Sequence, residues 1–176
     1  MKIYILRHEE RNADDPTFLS SLTPTGLNNS KKLTKTLQEY NITHIFTSPF
    51  LRTLQTIENY CQNENIKAYR EFALYEFIDS CIGTPDNYLF DVPNEYHPII
   101  DLSYNSFCKM EDIKWNDSFD VIKKRVKSFL EYLQKSNFIK DKENANILLV
   151  THMSIINALL NKESEDHYPM GHITLL

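Results

Sequence analysis

Apolar and polar positions alternate along this chain in two rhythms. Short apolar runs rich in β-branched and aromatic residues read as strands: "KIYIL" at 2–6, the most central of them, then "ITHIFT" at 42–47 and "NILLVTH" at 146–152. A short edge strand is expected near 66–70, and the terminal "HITLL" adds one more. Between them the spacing turns helical. In "LTPTGLNNSKKLTKTLQEY", Thr23 is a good N-cap and Pro24 sits at the first helical position, where its missing N–H costs nothing. Leu27, Leu33, Leu37 and Tyr40 then form an apolar face. Ser48-Pro49 repeats the cap-plus-proline signal for a helix through about Cys61. At about 100° per residue, Phe50, Leu54, Ile57 and Cys61 share one stripe and Arg52 points away from it. The clearest amphipathic helix carries Phe119, Ile122, Val126, Phe129, Leu130 and Leu133, and "SIINALLNK" makes a last helix.

Strands alternating with helices predict an α/β domain with a mostly parallel sheet. The rhythm fails from 77 to 116, where Pro85, Pro93 and Pro98 interrupt it. Tyr88, Phe90, Tyr96, Tyr104, Phe107 and Trp115 mark that stretch as a folded insertion rather than a disordered linker. The expected organisation is one domain over 1–176 with an insertion, a cap or substrate loop, at about 77–116.

Composition narrows the function classes. The chain has 176 residues, 41% hydrophobic and 24% charged, which suits a soluble domain with a sizeable core. Net charge is −5, and no basic run exceeds Lys123-Lys124-Arg125, which reads as the wet face of a helix. Nucleic acid is therefore not an expected partner. Cys61, Cys81 and Cys108 stand far apart, giving neither a disulfide framework nor a zinc ribbon. With no signal-peptide order and no apolar run approaching about 18 residues, a cytoplasmic location and no membrane partner are expected. The three glycines, Gly26, Gly83 and Gly171, exclude a G-x-G-x-x-G turn and a Walker loop. If phosphate is bound, side chains must do most of the binding.

In open α/β sheets, ligands collect beyond the carboxyl ends of the strands. Arg7 and His8 follow the first strand, Arg52 lies in the first turn after the second, and His152 follows the late one. Such a cluster suits phosphoryl transfer. A neutral imidazole attacks phosphorus, arginines neutralise the equatorial oxygens, and a second histidine donates a hydrogen bond to them. The arginines also disfavour imidazolium, and an acid is needed for the leaving oxygen. With that many cationic donors neither a metal nor another cofactor is called for. Taken singly, a histidine after a strand or an arginine in a first turn is more often structural or exposed; it is the coincidence at one sheet end that points to a site.

At these residues the sequence resembles the histidine phosphatase superfamily, in its phosphoglycerate-mutase-like branch (branch 1). "ILRHEER" resembles its strand-then-Arg-His-Gly signature, and "LTPTG" its Leu-Thr-x-x-Gly. "TSPFLRTLQT" resembles Ser-Pro-x-x-Arg-Thr-x-Gln-Thr, and "LLVTHMSIINALL" the second-histidine strand and helix. The resemblance implies a three-layer α/β/α fold and His8 as the nucleophile that becomes phosphorylated. Arg7, Arg52 and His152 would complete the phosphate pocket. It implies Glu76, in "LYE", as general acid; the alternative is a surface glutamate before the insertion. Asn12 and Met153 are candidate substrate-binding residues, Asn12 as a phosphate contact, and Arg11 a residue for a second anionic group. His44, His97, His167 and His172 have no matching context and are read as structural or exposed.

Two positions depart from the family pattern. Glu9 and Met153 stand where glycines follow the two histidines. Glu9 is expected to point out, with Glu10 matching the acidic or amide residue of many members. The expected activity is a metal-independent phosphatase acting on a small phosphorylated substrate or a phosphoprotein. The alternatives are a phosphatase-like binding or scaffold protein that lost turnover, and a phosphoglycerate mutase. A metal hydrolase is disfavoured, since "HEER" lacks H-E-x-x-H spacing.

Overall fold

The structure, a computed structural model, describes residues 1–15, 17–76, 92–112, 117–162 and 166–176. Five strands form one sheet: β1 (Lys2–Arg7), β2 (His44–Thr47), β3 (Ala68–Arg70), β4 (Asn146–Thr151) and β5 (Ile173–Leu175), in the order β3-β2-β4-β1-β5. The first four are parallel and β5 returns antiparallel on β1. The fold is the mostly parallel α/β architecture read from the sequence.

Pleating sends alternate strand residues to opposite faces. Ile3, Ile5, Phe46, Ile147 and Leu149 face α3 (Phe119–Lys135) and α4 (Met153–Leu159). Leu6, Ile45, Leu148 and Val150 face α1 (Pro24–Gln38) and α2 (Leu51–Glu64). The apolar stripes lie inward: Ile122, Val126, Phe129 and Leu133 of α3 are buried, as are Leu54, Ile57 and Cys61 of α2. Each such side chain contributes about 1.5–3 kcal/mol by leaving water. Leu27 of α1 departs from expectation and is exposed, while Leu33 and Leu37 carry that helix's contact.

Helix starts follow their caps with one exception. Thr23 Oγ1 accepts from Gly26 N–H at 3.1 Å and Pro24 opens α1, as expected. Ser48 does not cap α2; Phe50 occupies that place without a side-chain bond, and the helix begins at Leu51. Ser48 is instead drawn into the sheet's functional end.

Within the segment expected as an insertion, residues 77–91 and 113–116, with Cys81, Gly83, Tyr88, Phe90 and Trp115, lie outside the described residues. Residues 92–112 line the sheet's β3 edge: Ile100 bridges Ala68, and Tyr96, Ile99 and Ile100 join the α2-side core. Glu71, fully buried, anchors the stretch 104–108. It accepts from Ala73 N–H, Ser106 Oγ and Cys108 N–H through Oε1, and from Tyr104 Oη and Phe107 N–H through Oε2. Five donors on one carboxylate repay the burial of its charge.

Candidate active site

Register brings the two histidines together. Arg7 of β1 pairs with Thr151 of β4, so the next residues on these parallel neighbours, His8 and His152, leave the sheet side by side. Their rings lie edge-on with centroids 5.2 Å apart. Thr47 pairs with Val150, so Ser48 emerges level with Thr151, one residue before His152.

His8 is 3% exposed, and its Nδ1 lies 2.7 Å from the Glu9 carbonyl. A carbonyl only accepts, so Nδ1 carries the proton and Nε2 keeps the lone pair. Burial first, then Arg52, with Arg7 and Arg11 further down, pushes the His8 pKa down to about 3 against the opposing pull of that carbonyl. The imidazole is neutral at physiological pH. The expectation that the arginines suppress protonation holds in direction, though burial is the larger cause.

His152 is fully buried and its Nε2 pairs with Ser48 Oγ at 2.8 Å. Its Nδ1 has no hydrogen-bond partner among the described residues and stands 3.6 Å from Glu76 Oε2. Burial, then Arg52, His8, Arg7 and Arg11, holds this imidazole neutral well below its ordinary range. When Ser48 donates to Nε2, the ring proton sits on Nδ1, facing Glu76.

Arg52 is 3% exposed and lies over the Phe50 ring, with Cζ 4.2 Å from the centroid. One terminal nitrogen donates to Thr17 O at 3.3 Å. Arg7 donates a terminal N–H to the Tyr168 carbonyl. In both arginines Nε has no hydrogen-bond partner among the described residues. Burial lowers both pKa values, to about 10 for Arg52, and Glu76 is the leading charge opposing it. Both remain cations at neutral pH. Two buried guanidiniums with unused donors, beside a neutral imidazole lone pair, are a donor set whose chemistry suits an oxyanion.

Glu76 sits at the rim, its side chain 21% exposed. Its Oε1 accepts from Ser154 Oγ on α4. Arg7, His8, Arg52, His152 and Glu76 are thus brought together. Asn12 is not: it is exposed, and its Oδ1 takes the Asp14 N–H at 3.1 Å. Met153 is half-buried as the first residue of α4 and enters none of the polar contacts. Arg11 donates to Asn12 O and Asp15 O at 2.7 and 2.9 Å, and its charge lowers the pKa of Arg7, His8, Arg52 and His152.

Glu9 is 6% exposed, buried rather than pointing to solvent. Its carboxylate hydrogen-bonds Asn29 and rests against Gly171, whose φ is +70°. A Cβ at Gly171 would lie 2.9 Å from Glu9 Cδ and closer still to Oε1. Gly171 N–H donates to Arg7 O and His8 O at 3.1 and 3.3 Å. Thus the unexpected carboxylate is turned toward the C-terminal segment, not into the pocket. Gly26 similarly lets the chain come close, with the Glu10 carbonyl where a Cβ would stand.

Several contributors escaped sequence reasoning. Ser48 and Thr56 stand inside the quoted "TSPFLRTLQT", yet only Arg52 was assigned there. Thr56 Oγ1 accepts from Glu9 N–H at 3.0 Å, fixing the loop after His8 to α2. Arg125 corrects the reading of the basic triplet: its side chain is only 10% exposed. At about 100° per residue it falls roughly 40° from the edge of the apolar stripe, whereas Lys124 points to solvent. Among the described residues no group of three His, Cys, Asp or Glu side chains is placed to hold a metal, and no helix is long and apolar enough to cross a membrane.

Comparison with known proteins follows the same lines. The family model for the histidine phosphatase superfamily (branch 1) matches residues 3–166. Among solved structures, the ecdysone phosphate phosphatase EPPase from Bombix mori, in complex with tungstate, superposes with a TM-score of 0.70 at 17% identity, covering 99% of this chain and 88% of that one. YhfR from Bacillus stearothermophilus gives 0.66 at 19% identity, over 99% and 89%. A phosphoserine phosphatase mutant from Entamoeba histolytica, in complex with phosphoserine, gives 0.62 at 16%, over 99% and 89%. At these identities the likeness speaks to fold. No curated protein sequence matches the chain.

Proposed function

Because this chain belongs to the histidine phosphatase superfamily, branch 1, we propose that it hydrolyses phosphate monoesters through a phosphohistidine formed on His8, without a metal ion. The observation that carries the reading is the buried, neutral His8 with its Nδ1 proton held by the Glu9 carbonyl, under the charges of two buried arginines, Arg52 and Arg7.

In the first step the Nε2 lone pair attacks phosphorus and the P–O ester bond breaks. Its electron pair leaves on the alcohol oxygen, which takes a proton from the Glu76 carboxyl. Arg7, Arg52 and His152 hold the phosphoryl oxygens as charge spreads over them. In the second step the Glu76 carboxylate accepts a proton from water, water oxygen attacks phosphorus, and the P–N bond breaks to return neutral His8. Arg11 adds positive potential, which favours an anionic ester.

The names of two matched structures, for ecdysone phosphate and phosphoserine, span esters of very different size. Substrate class is therefore left to experiment, small phosphorylated metabolites and phosphoproteins being the candidates. A panel of phosphate esters assayed with chelator present should show turnover of at least one ester, unaffected by chelation. Absence of hydrolysis across the panel, or its abolition by chelator, would overturn the proposal.

A further inference from the structure

Arg125 is a cation buried in α3 that the chemistry above does not use. Its Nε donates to Ala73 O at 3.2 Å and one terminal nitrogen to Tyr75 O at 2.6 Å. The other terminal nitrogen lies 3.7 Å from Asp117 Oδ2, a pair in which both side chains are nearly buried. Between the two carbonyls, Leu74 O accepts from Thr151 Oγ1 at 2.8 Å. Three consecutive carbonyls, 73 to 75, are therefore held by side chains from two other elements, and the next residue is Glu76.

The two clamps tie that turn to both sides of the site. Thr151 directly precedes His152 on β4, while Arg125 fixes Tyr75 from α3. A buried ion pair at this separation is weak evidence for stability, since an apolar residue of similar volume often serves as well. What a forked guanidinium provides here is two fixed points on one short turn, a geometry a point charge cannot reproduce. A proton donor must stand within hydrogen-bond reach of the leaving oxygen, and a 1 Å misplacement is enough to lower rate about 10²-fold.

We propose that Arg125 is a positioning residue for Glu76, fixing through the Ala73 and Tyr75 carbonyls the backbone from which the proton donor reaches the leaving group. The inference rests on the assignment of Glu76 as proton donor. It separates from a general structural role by leaving-group dependence, because an ester whose leaving oxygen needs no proton does not need a well-placed acid.

The test compares kcat/KM on p-nitrophenyl phosphate and on an alkyl phosphate turned over in the ester panel. Arg125→Met should lower the alkyl rate about 10²-fold and the aryl rate by no more than about threefold, a small loss that leaves the acid as the affected step. Equal losses on both esters, or no loss on the alkyl ester, would overturn the inference. If Arg125→Met does not fold, Arg125→Lys keeps the charge but can hold only one carbonyl well. It should show the same split at about tenfold, and equal or absent losses count against the inference in the same way. Glu76→Gln is the reference and should show the split most strongly. If it shows none, the proton-donor assignment falls and this inference with it; if it shows the split and Arg125→Met does not, only this inference falls.

Discussion

Replacing Gly171 with alanine tests how Glu9 is accommodated. Two separable penalties arise at that position. The first is backbone: φ is +70°, and an L-residue there costs about 1–2 kcal/mol. The second is packing: the new Cβ would stand 2.9 Å from Glu9 Cδ and closer to Oε1, so the buried, Asn29-bonded carboxylate must move. Overpacking of this kind costs roughly 1–3 kcal/mol. Gly171→Ala should therefore lose about 2–5 kcal/mol, equivalent to roughly 4–20 °C in Tm for a chain of this length. In a Glu9→Gly background only the backbone penalty remains. Urea and thermal unfolding of the four proteins in this cycle should give a coupling of about 1–3 kcal/mol between the two positions. If Gly171→Ala costs the same with and without Glu9, to within about 0.5 kcal/mol, the carboxylate is not seated on Gly171. Activity should follow stability in the single variant, because Gly171 N–H bonds the carbonyls of Arg7 and His8.

Three further outcomes follow from the same geometry. Arg52→Ala should lower kcat/KM by about 10²–10³; Arg52→Lys should recover less than about tenfold of it, lacking the planar fork, and near-complete recovery would show that charge alone suffices. Stability should fall in acid. His8 and His152 are neutral in the fold with pKa values below the ordinary 6.5, so below that pH the unfolded chain binds protons that the fold does not. Their contribution is complete above about pH 6.5 and is lost as pH falls toward about 3 for His8, each adding a slope of up to about 1.4 kcal/mol per pH unit. Urea midpoints from pH 7 to 4 should be flatter for His8→Asn than for the native chain, and parallel curves would refute the burial argument. Finally, Glu9→Gly with Met153→Gly should not raise activity more than about threefold, since the Glu9 carboxylate is engaged with Asn29 and Gly171 and Met153 enters none of the site's polar contacts. A large gain from near zero would instead favour the binding-protein alternative.

Much of this was legible because strand register does the assembling. Short β-branched runs and the rule of the carboxyl edge were enough to gather Arg7, His8, Arg52 and His152 from distant sequence. The apolar phase of α2 correctly turned Arg52 off its stripe. Local chemistry was harder to read where one residue could serve two purposes. Ser48 before proline looked like a cap, yet the fold uses its hydroxyl on His152. Arg125 looked solvated because a basic triplet usually is, and only its helical phase hinted otherwise. Glu9 shows the limit most clearly: which way a carboxylate turns after a strand depends on Asn29 and on Gly171, more than 160 residues away, and no local pattern encodes that meeting. Within the segment 92–112, short of periodicity, residues 104–108 are gathered by the single carboxylate of Glu71, a tertiary device with no period to detect.

The central claim is a phosphoryl group carried on His8 Nε2. The most direct measurement is to quench the protein with a labelled phosphate ester during turnover and map the modification by mass spectrometry. The account predicts an acid-labile, alkali-stable phosphoryl group on His8, absent in His8→Ala together with hydrolysis. A His8→Ala protein that still turns over the ester, or a phosphoryl group found on another residue, would contradict it.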